Sequence, residues 1–170
     1  VLDLEQELRA VIEAFDDAAI PYALCGGLAL AVHGQTRATS EFDLLIPASS
    51  LPAAAGVVAS LGYAMDLQAD SSPITHRQSK IDADGNSSML DIVLLTPPDD
   101  VWADREEFVW QGRTISVIAR DDLVQLKRGS AVNVDMSSNA VTTRLQRASQ
   151  LRKLCLSLMK AKPVPPKAKA

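Results

Sequence analysis

The stretch from Pro21 to Pro47, PYALCGGLALAVHGQTRATSEFDLLIP, constrains the fold more than any other part of the chain. It opens on a short apolar strand, Tyr22 to Cys25, broken by Gly26-Gly27. The apolar run Leu28 to Val32 predicts a short helix, His33 to Ser40 a polar turn, and Phe42 to Ile46 a second strand. Glu41 and Asp43 stand at the mouth of that second strand, and side chains two apart in a strand share a face. Two carboxylates side by side repel unless a cation lies between them. A hard divalent cation of the Mg²⁺ type, which takes carboxylate oxygens, meets that need.

The rest of the chain alternates helical and extended patterns. Leu4, Leu8, Val11, Ile12 and Phe15 recur at three- and four-residue steps, predicting a helix over residues 2–19 that Pro21 stops. A helix is expected from Leu51 to Leu61, capped by Ser50, with Pro52 in its first turn and Gly62 closing it. Ile74 to Ile81 and Met89 to Leu95 predict two strands joined by the turn Asp82-Ala-Asp-Gly-Asn-Ser-Ser. The second is apolar on both faces apart from Asp91. A carboxylate there is costly without a partner, so Asp91 is either an edge residue facing water or a third metal ligand. Further on, Asp99 to Phe108 reads as a short helix, Val109 to Gly112 as a loop and Arg113 to Ile118 as a strand. Arg120 to Arg128 reads as a short helix, with Lys127 and Arg128 in its last turn. A long final helix is expected over residues 139–160, with Val141, Leu145, Ala148, Leu151, Cys155 and Leu158 in one stripe. The proline- and lysine-containing end, residues 161–170, is expected to be disordered. With no internal repeat and no second core, residues 1–160 read as a single domain. Strands alternating with helices, then a hairpin, predict an α/β (α+β) mixed sheet with helices packed against it.

Composition narrows the setting. No apolar run in the 170 residues approaches the roughly 20 that a membrane helix requires. The acidic, amphipathic start does not read as a signal peptide, so a cytoplasmic location without membrane contact is expected. Cys25 and Cys155 are far apart, forming neither a disulfide framework nor a zinc site, and Cys25 reads as a small core residue. Residues 1–135 hold 21 acids against 9 bases, whereas residues 136–170 hold 8 bases and no acid. The acidic body disfavours general nucleic-acid binding. The basic end suits RNA, an acidic partner, the domain's own acidic surface or plain solvation.

Together, Gly26-Gly27, His33-Gly34, Arg37, Thr39, the pair Glu41 and Asp43, and Asp91 on a later strand resemble the nucleotidyltransferase superfamily. The pattern is nearest to its minimal nucleotidyltransferases and to AbiEii-type toxins of bacterial toxin–antitoxin systems. The resemblance covers roughly residues 5–128. It implies transfer of a nucleoside monophosphate from a nucleoside triphosphate (NTP) to a hydroxyl on a protein, RNA or small molecule, with release of pyrophosphate. It further implies that Glu41, Asp43 and Asp91 form the catalytic, metal-binding set for Mg²⁺ or Mn²⁺. Gly26, Gly27, Arg37 and Lys127 are then expected at the triphosphate, although an ion pair of Arg37 with Glu41 or Asp43, and a plain helix-end charge for Lys127, are equally open. A cognate toxin or antitoxin partner is implied as well. One departure stands out. Glu41 occupies a position that is usually Asp, and its extra methylene extends the carboxylate by about 1.5 Å. That leaves open absorbed geometry, a preference for Mn²⁺, or a lapsed enzyme that survives as a binding or regulatory protein. An aminoglycoside-modifying type of resistance enzyme would share the same core. His33 reads as a turn residue near the glycines. His76, Arg77 and Lys80 read as lining a cleft or as a solvated hairpin face, and Trp102 and Trp110 as base-stacking or edge-burying residues.

Overall fold

The structure, a computed structural model, describes residues 3–35, 41–65, 75–95, 100–123 and 141–165. Helix α1 spans Leu4–Asp17, where Asp3 caps it by accepting from the Glu5 and Gln6 amides. Leu4, Leu8, Val11, Ile12 and Phe15 are all buried, as their spacing requires. The helix ends four residues before Pro21, because Ala19 turns left-handed at φ 52° and Ile20 N–H returns to the Phe15 carbonyl.

The next elements are β1 (Ala23–Leu24), α2 (Gly26–Val32) and β2 (Phe42–Pro47). A single turn of 3₁₀ helix then leads into α3 (Leu51–Ser60). Pro52 sits in the first turn of α3 as expected, but Ser50 gives no side-chain cap. Gly62, at φ +87°, closes α3. Strand β3 (Ala64–Met65) follows, and β4 (Thr75–Ile81) and β5 (Ser87–Leu95) form the expected hairpin.

Beyond β5 the sequence reading needs correction. Of the helix expected from Asp99 to Phe108, Asp100–Ala103 is helical among the described residues (α4), whereas Glu106–Trp110 is a strand, β6. It is joined to β7 (Arg113–Val117) by Gln111-Gly112, both at positive φ, the backbone of a tight two-residue hairpin turn. The last helix, α5, spans Val141–Leu158. Leu151, Leu154, Cys155 and Leu158 are buried, while the side chains of residues 141–148 lie outside the described residues. Residues 161–165, in the stretch expected to be disordered, are described. Lys162–Pro163 forms β8 against β6, and Val164 N–H donates to the Glu107 carbonyl at 2.8 Å.

The eight strands make one mixed sheet in the order β3-β4-β5-β2-β1-β7-β6-β8. The β2–β5 and β1–β7 pairs are parallel and the others antiparallel. Helix α1 packs against α3 and α5, and α2 packs against β2 and α5. This is an α/β mixed sheet flanked by helices. Two adjacent inner strands, β2 and β5, are strongly apolar, with Phe42, Leu44, Leu45, Ile46, Leu90 and Ile92 buried. Buried on both faces, they form a stiff floor for whatever polar group interrupts them. No described helix is long and apolar enough to cross a membrane.

Candidate active site

The polar interruption is Asp91, 5% exposed in the middle of β5. The parallel register of β2 and β5 sets Asp43 opposite Asp91, and the antiparallel register of β4 and β5 sets Arg77 opposite Asp91 on the other side. Directly opposed residues share a face, so Arg77, Asp91 and Asp43 form one row across three strands. Glu41, two residues before Asp43, joins it on that face. One carboxylate oxygen from each of Glu41, Asp43 and Asp91 lies within 4.8 Å of the others.

Asp43 is built into the Gly-Gly turn. The Cys25 N–H donates to the Asp43 carbonyl at 2.9 Å, and the Gly27 N–H donates to the Asp43 carboxylate. Gly26, at φ +61°, opens α2 so close to that carboxylate that a Cβ built there would stand 2.0 Å from Asp43 Oδ2. Here it is the carboxylate that requires a glycine at position 26. Burial, then the charges of Glu41 and Asp91, push the Asp43 carboxyl up to about 7, against the pull of the Gly27 amide and Arg77.

Arg77 completes the cluster. Its Nε donates to Asp91 Oδ1 at 2.8 Å and its Nη2 to Oδ2 at 2.7 Å, a planar two-pronged grip. The same Nη2 stands 3.4 Å from Glu41 Oε1. The sequence reading grouped Arg77 with His76 and Lys80, but strand alternation separates them. Lys80 projects to the opposite face and binds both oxygens of Glu7 at 2.9 Å, beside the Tyr63–Ser88 hydroxyl pair. The available signal was parity: Arg77 and Asp91 hold matching positions in the two arms of a hairpin.

Other singled-out residues resolve differently. His33 donates through Nε2 to the Ile118 carbonyl at 2.9 Å and meets Phe108 edge-on, so it fastens the end of α2 to the exit of β7. Trp110 is 2% exposed and donates to Ser157 Oγ, which removes it as a base-stacking surface. Trp102 carries Arg105 on its ring face. Cys25 is buried, and desolvation followed by the Asp43 and Asp91 charges raises its thiol well above the usual range, so it serves as core. Arg37 and Lys127 lie outside the described residues.

The donor set fits a divalent cation. Three carboxylates converge on one face, where burial and then mutual repulsion raise the Asp43 carboxyl to about 7, a cost that a cation would relieve.

No protein-family profile and no curated protein matches the chain. Solved structures do, at the level of the fold. ANT(2″)-Ia, solved in complex with adenylyl-2″-tobramycin, superposes with a TM-score of 0.59 at 16% identity, over 92% of this chain and 97% of that one. A Thermotoga maritima protein assigned as a nucleotidyltransferase gives 0.56 at 15% identity, over 87% and 89%. The lincomycin-bound lincosamide antibiotic adenylyltransferase LnuA gives 0.52 at 16%, over 88% and 96%. The chain therefore has the nucleotidyltransferase fold.

Proposed function

We propose that this protein is a metal-dependent nucleotidyltransferase that moves a nucleoside monophosphate from an NTP to a hydroxyl acceptor. The observation that carries the reading is the convergence of Glu41, Asp43 and Asp91 on one face of two adjacent inner strands, in a nucleotidyltransferase fold. Glu41, Asp43 and Asp91 are the residues that would hold Mg²⁺ or Mn²⁺. When bound, the cation would supply Lewis-acid polarisation of the α-phosphoryl group and screen the charge that develops on it. In the reaction the acceptor oxygen bonds to the α-phosphorus, the bond from that phosphorus to pyrophosphate breaks, and the hydroxyl proton is lost to base. Gly26 and Gly27 hold Asp43 in register and, with Arg37 and Lys127, are assigned to the triphosphate.

A small-molecule hydroxyl is the favoured acceptor, since ANT(2″)-Ia and LnuA are antibiotic-directed proteins of the same fold. A protein or RNA acceptor within a toxin–antitoxin pair is the alternative that the basic end of the chain supports. A second reading, a non-catalytic binding or regulatory protein of the same fold, draws on Glu41 in place of the usual Asp. Calorimetric titration of each of the four NTPs with Mg²⁺, with Mn²⁺ and with EDTA tests the proposal. Binding that requires metal is the expected result. NTP binding that ignores EDTA would overturn the metal-dependent reading, and no binding under any metal would favour the second.

A further inference from the structure

Among the described residues, Arg77 is the cation seated on the acidic cluster, and its position bears on how many metal ions the cluster takes. Both Asp91 oxygens receive an Arg77 N–H, at 2.8 and 2.7 Å, and the guanidinium also reaches Glu41 at 3.4 Å. The guanidinium therefore contacts Asp91 and Glu41 directly, while Asp43 accepts from the Gly27 amide and senses Arg77 only through its charge. Among the described residues, three carboxylates and one guanidinium leave two negative charges once Asp43 has lost its proton, which a single divalent cation balances.

We propose that Arg77 takes the place of a second metal ion, so that the centre holds one divalent cation where the same three carboxylates without a guanidinium would hold a pair. The inference rests on the metal-dependent reading of the site. A guanidinium cannot give up its charge at any working pH. A second ion on Asp91 would have to share both oxygens with a two-pronged pair at a residue 5% exposed and sit against a like charge. Arg77 cannot drift from this place easily, because the β4–β5 register sets it opposite Asp91. Arg77 is thus a positioning residue that fixes ion number, and it touches neither acceptor nor triphosphate in this argument.

The test is a titration of the full chain with Mn²⁺ alone, followed by electron paramagnetic resonance. Loss of the free-ion signal counts bound ions, and magnetic coupling reports two ions at the roughly 3.5–4 Å spacing of a two-metal site. The wild type should bind one uncoupled Mn²⁺. Arg77→Gln should bind two, with a coupled spectrum, and Arg77→Lys, which keeps the charge, should bind one. Two coupled ions in the wild type or in Arg77→Lys, or a single ion in a folded Arg77→Gln, would overturn the proposal while leaving metal-dependent transfer intact. No bound Mn²⁺ in the wild type would overturn both. If circular dichroism shows Arg77→Gln unfolded, the counts for the wild type and Arg77→Lys decide the matter.

Discussion

Gly26 is where a single missing atom matters most. Its φ of +61° and the 2.0 Å approach of a built Cβ to Asp43 Oδ2 leave no room for a side chain. Gly26→Ala should displace Asp43, weaken Mn²⁺ binding at least tenfold and lower stability by about 1–3 kcal/mol. Unchanged metal affinity would show that the close approach is not what orients Asp43. Asp43 itself links stability to pH. Its carboxyl, at about 7 in the folded chain against about 4 when unfolded, keeps its proton through a range where the unfolded chain has already lost it. The folded state then binds more protons, so stability falls as pH rises from about 4 to about 7 and levels off above. In EDTA, Asp43→Asn should therefore gain on the wild type with rising pH and exceed it by about 1–4 kcal/mol at pH 8. A wild-type–variant difference in melting temperature that stays flat from pH 5 to pH 8 would refute this. The sequence exposed the Asp43–Asp91 clash because each acid interrupts an apolar run. It hid Arg77, whose relevance depends on a hairpin register that composition does not encode.

At the scale of elements, legibility followed the length and purity of the pattern. α1 and β4 follow a period, β2 and β5 are near-continuous apolar runs, and all four lie close to their expected bounds. β6 was missed although Phe108 and Trp110 face in and Val109 faces out. Its alternation lasts only five residues, it follows α4 without a glycine or proline break, and its turn is Gln-Gly rather than Asn-Gly. β8 was missed for the opposite reason, since its proline argued against any strand. Pro163 is acceptable because β8 lies at the sheet edge, where one side of a strand needs no donor. Hydrogen exchange should find the Val164 amide protected by its bond to the Glu107 carbonyl. Exchange at the rate of an open chain would remove β8 from the sheet. Removing residues 162–170 should then bare the outer edge of β6, with Val109 already 40% exposed, and increase self-association.

Across the whole molecule, the order β4-β5-β2-β1 gathers parts of the cluster that lie far apart in the chain. Arg77 reaches it from one direction and Asp43 from the other, with Asp91 between them. The remote end of the hairpin therefore sets the chemistry at its centre. Asp82 closes that end: its Oδ1 accepts from the Asp84 and Asn86 amides, its own N–H donates to the Asn86 carbonyl, and Gly85 turns at φ +81°. This five-residue turn works as an indexing pin on a zipper. One residue inserted or lost there would slide β4 by a single tooth, bring His76 or Gln78 level with Asp91, and carry the guanidinium to the back of the sheet. A family of such chains could thus change its ionic centre without altering any of the three carboxylates, through the length of a surface turn alone.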